Sequence, residues 1–97
     1  MRMFNPPHPG LSVKESLDVL QISMTAYARL IDVSPSTIFR LTKGKTAITA
    51  PIARKLAATI GSTPDQWLRL QAGYDVWKDE QEHNLGHLKR LFVSSVE

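Results

Sequence analysis

The sequence predicts an all-α domain of five helices, and three observations support this. Apolar residues recur at steps of three and four along most of the chain, no stretch alternates with the period of two expected of a half-buried strand, and each apolar run opens on a capping residue. At 97 residues there is room for one compact domain, and 42% apolar with 22% charged residues is an ordinary globular balance.

The opening segment, Arg2 to Gly10, holds Pro6, Pro7 and Pro9, which lack amide donors and keep their predecessors extended, so residues 1–10 read as an extended arm. From Ser12, a candidate cap with Glu15 three residues on, Val13, Leu17 and Leu20 recur at helical spacing. That predicts a first helix ending near Leu20. Ser23 caps a second, of about eight residues, with Met24, Tyr27, Ala28, Leu30 and Ile31 on its apolar face; it stops at Asp32-Val33. Ser34-Pro35 restarts the helix, because serine caps and proline suits the first helical position. Ile38 and Leu41 of this third helix point one way, and Lys43-Gly44-Lys45 ends it with a glycine suited to a left-handed cap.

Thr49 caps a fourth helix that has Pro51 in its first turn and an Ile52, Leu56, Ile60 stripe before Gly61. Thr63-Pro64-Asp65-Gln66 is a complete start signal for a fifth, along which Trp67, Leu70, Tyr74 and Trp77 form one seam. Beyond Glu82 helical spacing returns at Leu85, Leu88, Leu91 and Phe92, interrupted by Gly86, so residues 83–97 read as a partly helical or flexible extension of a domain spanning 11–82.

With no cysteine there is no disulfide framework and no thiolate metal site. The opening lacks a signal-peptide core and no apolar run approaches about 18 residues, so the expectation is a soluble, cytoplasmic protein that does not engage a membrane. His83 and His87 are four apart with Glu80 and Glu82 near, formally a metal-ligand spacing, but Gly86 weakens that helix and no third ligand is evident. There is no glycine-rich phosphate loop, and no nucleophile with a recognisable base. No enzyme, cofactor, metal or small-molecule substrate is expected.

The net charge of +3 is mild, but its placement is informative: Arg40, Lys43 and Lys45 cluster around one turn while Asp75, Asp79, Glu80 and Glu82 lie far along the chain. Two short helices joined by a tight turn become a DNA reader when the second can enter the roughly 12 Å major groove. Here Ala28 would let helices two and three cross closely, Val33 would fill the turn, and Ile38 and Leu41 would anchor helix three. Ser36, Phe39 and Arg40 are then left facing out. Arg40 is the first choice for base contact, since arginine pairs with both guanine acceptors; Ser36 and Thr37 could reach bases or sugars, and Phe39 a thymine methyl. Thr25, Ser34 and Pro35 at helix starts, with Lys43, Lys45 and Thr46, are placed for the phosphate backbone. The bland alternative is five amphipathic helices joined by solvated turns.

The stretch MTAYARLIDVSPSTIFRLTKGKTAIT resembles the Xre-type helix-turn-helix family, whose fold is lambda-repressor-like. His8-Pro9-Gly10 upstream and STPDQWLRLQAGYDVW downstream narrow the resemblance to HigA-like, or VapI-like, antitoxins over about Phe4 to Trp77. It implies an antitoxin that neutralises a HigB/RelE-like mRNA-cleaving toxin and, as a homodimer on operator DNA, represses its own operon. It places Ser34, Phe39 and Arg40 where family members touch DNA, and Thr63 to Trp77 where they dimerise. The dimerisation set is Trp67, Leu70, Gln71, Tyr74 and Trp77, a seam that could close the monomer core as well as a two-fold interface. Three positions depart from the family: Asp32 replaces the usual turn glycine, Met24 a frequent phosphate-contacting glutamine, and Phe39 a small polar residue. A stand-alone regulator without a toxin, or an interaction module that never meets DNA, are the alternative functions. For toxin binding, Met1 to Gly10 and Leu85 to Glu97 are both candidates.

Overall fold

The structure, a computed structural model, describes residues 6–91 and contains five helices: α1 Pro9–Leu20, α2 Met24–Leu30, α3 Pro35–Thr42, α4 Ala50–Thr59 and α5 Pro64–Glu82. α2 packs on α3 and α4 on α5, while α1 lies against both α3 and α5. Each helix contributes to one core: Val13 and Leu17 from α1, Tyr27 and Ala28 from α2, Ile38 and Leu41 from α3, Ala53 and Leu56 from α4, and Trp67 from α5 are buried. Full burial of each large side chain stabilises the fold by about 1.5–3 kcal/mol.

Three of these helices end in the same way, and the endings fix the turns. At the end of α1, α2 and α3 a residue in the left-handed region, Gln21, Asp32 or Gly44, bonds back into the last turn, with its successor reaching one residue further. For α3 the pair is Gly44 N–H to the Leu41 carbonyl at 3.0 Å and Lys45 N–H to the Arg40 carbonyl at 2.9 Å. This double bond pattern satisfies carbonyls that the helix leaves free. Ser23, Ser34 and Thr63 cap α2, α3 and α5 as expected, accepting from Ala26, Thr37 and Gln66 amides. Thr49 precedes α4 but makes no side-chain cap bond.

α1 starts earlier than the sequence suggests. Its cap is His8 rather than Ser12: the imidazole Nδ1 accepts from the Gly10 amide at 2.9 Å, and Pro9 opens the helix. The prolines therefore end an extended approach at His8, and Pro9 and Gly10 are helical and buried. The part of the arm at residues 1–5 lies outside the described residues, as do Phe92, Ser94 and Ser95 of the tail. Among described residues the tail is not helical. His83 turns extended, Asn84 Oδ1 accepts the Gly86 amide at 2.7 Å, and a single turn links Leu85 and Leu88. The asparagine offers the backbone a local partner and the glycine gains nothing from helix, so spacing alone does not carry α5 onward.

Among the described residues no helix is long and apolar enough to cross a membrane, and no group of three or more His, Asp or Glu side chains could hold a metal.

Candidate nucleic-acid interface

The interface is assembled by the α2–α3 crossing. Ala28, with no exposed surface, brings the two helices together, and Val33 N–H bonds the Ala28 carbonyl at 2.9 Å, closing the turn. Asp32 occupies the left-handed conformation there, with φ 59°, as its short polar side chain permits. Lys55 of α4 reaches across to the Asp32 carbonyl at 3.4 Å and straps the turn to the domain. Ile38 and Leu41 are fully buried, so α3 is held by its inner face and its outer face is presented.

On that outer face Ser36, Phe39 and Arg40 are exposed, Phe39 by half of its surface. Lys43 lies over the Phe39 ring, its ammonium 4.8 Å from the centroid, a cation–π contact that steadies both side chains. Thr25, Ser34, Pro35 and Lys45 are exposed, while Thr37 and Thr46 are half-buried. Ser34 is more committed than its sequence position suggests: its hydroxyl caps the Thr37 amide at 3.2 Å and lies 2.8 Å from the Thr37 hydroxyl. Its first duty is to start α3. Met24 is also explained, because its sulfur receives the Thr42 hydroxyl at 3.6 Å, a contact that ties the beginning of α2 to the end of α3.

The structure divides the expected dimerisation seam. Trp67 and Gln71 face inward: the Trp67 indole donates to the Gly61 carbonyl at 3.0 Å, and the Gln71 amide oxygen accepts the Ile48 amide at 2.9 Å. Gln71 is 5% exposed and also donates to Asp75, so it satisfies a buried loop amide and is spent within its own subunit. Those two are therefore buried in the core of their own subunit. Leu70 remains exposed, and Tyr74 and Trp77 are half-buried.

Two residues that set the site were hidden in the supposed arm. The Gly10 backbone lies so close to α3 that a Cβ there would stand 1.8 Å from the Leu41 carbonyl oxygen. His8 sits against the turn at Gly44 and meets the Tyr74 ring edge-on, centroids 4.8 Å apart. His8 thus joins α1, α5 and the end of α3. Burial pushes its imidazole below the ordinary value of 6.5; Asp75 works the other way and Lys78 reinforces the shift. A ring whose Nδ1 accepts the Gly10 proton must be neutral at that nitrogen. The lowered folded value means that stability is complete above 6.5 and is lost as pH falls through the folded value. Thermal unfolding between about pH 7.5 and 5 is expected to show falling stability for the wild type and a flatter dependence for His8→Asn, which keeps a capping side chain but does not titrate. An equally steep profile in that variant would remove His8 as the source.

Comparison with known proteins bears on this geometry. The family described as helix-turn-helix matches residues 19–68. The chain is 42% identical over 91 residues to the uncharacterized HTH-type transcriptional regulator YddM of Escherichia coli K12, covering 94% of this chain and 97% of that protein. It is 37% identical over 82 residues to antitoxin HigA-1 of Vibrio cholerae, covering 82% and 77% of the two chains. The solved structure of Pseudomonas aeruginosa antitoxin HigA with the higBA promoter superposes with a TM-score of 0.79 at 25% identity, over 90% of this chain and 99% of that one. With its two-helix unit, its exposed α3 face and these relatives, the chain belongs to the helix-turn-helix family of DNA-binding antitoxins and transcriptional regulators, a non-enzymatic family that includes HigA.

Proposed function

We propose that this protein is the antitoxin and autorepressor of a type II toxin–antitoxin pair, acting in the cytoplasm as a homodimer on its own operator. The observation that carries the DNA-binding part is the α3 face: Arg40, Phe39 and Ser36 are presented outward by a helix whose other side is locked by Ile38 and Leu41. Arg40 reads a guanine, Phe39 packs on a thymine methyl, and Ser36 and Thr37 contact bases or sugars. Thr25, Ser34, Pro35, Lys43, Lys45 and Thr46 hold the phosphates, which orient the protein and supply most of the salt dependence. In a two-fold dimer the two α3 helices lie about 34 Å apart, on successive turns of a palindromic site. The outer part of the α5 seam, exposed Leu70 and half-buried Trp77, joins the subunits, while Tyr74 packs against His8 within its own subunit.

The HigA relatives are antitoxins, which supports a toxin as the protein partner; the resemblance to HigA implies that this toxin is HigB/RelE-like and cleaves mRNA. A stand-alone regulator is the second reading, favoured by the match along nearly the whole of the regulator YddM. Co-expression with the adjacent reading frame separates the two. The antitoxin reading expects a small basic protein that copurifies, is toxic alone and is silenced by this chain, together with a salt-dependent gel shift on the upstream promoter. A gel shift without any such partner leaves the stand-alone regulator; no shift at all overturns the DNA-binding proposal.

A further inference from the structure

A glycine in the middle of a helix costs about 0.5–1 kcal/mol relative to alanine, and within one subunit nothing requires Gly73. It lies in the interior of the 19-residue α5, has no positive φ, and a Cβ added there would meet nothing within 4 Å. Something outside the subunit is the natural reason for the missing side chain. At about 100° per residue, Arg69, Gly73, Val76 and Glu80 fall on one narrow stripe of α5, on the opposite side from the inward-facing Trp67 and Gln71. Arg69, Val76 and Glu80 are all exposed, Val76 by 45% of its surface.

The stripe is self-complementary. Its steps of four, three and four are symmetric about the midpoint between Tyr74 and Asp75, so a second α5 running antiparallel brings each residue opposite a different one. Arg69 then faces Glu80 of the partner subunit, and Gly73 faces Val76 of the partner subunit, twice by symmetry. A cation meets an anion, and a side chain that protrudes meets one that is missing. Leu70 and Trp77 run along one flank of the stripe and come beside the partner's Trp77 and the partner's Leu70, extending the apolar contact. The charge pattern thus selects a second copy of this chain as the occupant of the face.

We infer that α5 crosses its partner copy antiparallel at Gly73, with Val76 of each subunit seated over Gly73 of the other and Arg69–Glu80 pairs closing both ends. This rests on the homodimer reading above and supplies its register. Gly73→Leu is expected to make the full-length protein monomeric by sedimentation equilibrium while thermal unfolding shows an intact fold, since the added side chain points into open space within the subunit. Arg69→Glu and Glu80→Arg are each expected to weaken self-association about tenfold or more, because each places like charges opposite one another at both ends. Mixed together, the two single variants should form a heterodimer in which opposite charges face one another again at both ends, read by native mass spectrometry. A wild type that stays monomeric up to high concentration and on operator DNA, as it would if another protein covers this face, overturns the homodimer and the register together. A dimeric wild type whose Gly73→Leu and charge variants associate equally well overturns the register alone.

Discussion

Gly10→Ala is expected to lose about 3 kcal/mol or more of stability, because the new methyl carbon would be placed 1.8 Å from the Leu41 carbonyl oxygen. The atom in the way is backbone in the last part of α3, and no side-chain rotation can move it. Either α1 slides away from α3, unpacking Val13 and Leu17 from the core, or the end of α3 is pushed aside. For a domain of this size the loss amounts to roughly 12 °C or more in melting temperature. Operator affinity should fall further than folding alone requires when measured well below the melting point, since any surviving native state must hold α3 in a shifted position. Urea and thermal unfolding of the purified variant check the first part, and a gel shift at low temperature checks the second. An unchanged melting temperature would mean that α1 can move off Leu41 without penalty, and that Gly10 is not what holds α3 in place.

The helices themselves were legible in the sequence because their signals are local. Ser34-Pro35 and Thr63-Pro64 announce helix starts by pairing a capping oxygen with a residue already shaped for the first turn, and both start where expected. Asp32 was legible for the same reason: a short polar side chain tolerates the left-handed turn, and it adopts that turn. His8-Pro9 follows the same grammar with an imidazole nitrogen in place of an oxygen. It was obscured by Pro6, Pro7 and Gly10, which argue locally for an extended arm. What makes Gly10 necessary is its approach to Leu41, far along the chain on another helix, and proximity of that kind leaves no periodic trace. Gln71 offered a fainter clue, a polar residue one helical turn from Trp67. The family resemblance counts it among the dimerising residues, and within the subunit its amide oxygen serves the backbone amide of Ile48, a partner that spacing does not announce. Of the residues proposed to meet DNA, spacing sufficed to turn Arg40 and Phe39 outward, since burial of Ile38 and Leu41 fixes where their neighbours point. The pairing of Lys43 with the Phe39 ring depends on side-chain placement that spacing does not define.

That pairing shapes the expected result of mutating α3. Arg40→Ala should lose about 1–3 kcal/mol of specific binding for each recognition helix, or roughly 5- to 150-fold, and should relax preference at one base pair per half-site. Non-specific binding should change much less, because base discrimination depends on the planar fork of the guanidinium, whereas the general attraction is shared among all the cations. Lys43→Ala should weaken every sequence nearly alike and reduce the salt dependence by about one unit of slope for each phosphate that its ammonium neutralises. Lys43 also holds the Phe39 ring from 4.8 Å, so a weakening that depends on the base opposite Phe39 would identify a second role, the positioning of that ring. Titrations of wild type, Arg40→Ala and Lys43→Ala against operator and scrambled DNA at several salt concentrations separate these effects. Equal operator affinity for wild type and Arg40→Ala would remove Arg40 from base reading. A salt slope that is the same with and without the Lys43 ammonium would place that group on the aromatic ring alone and away from the phosphates.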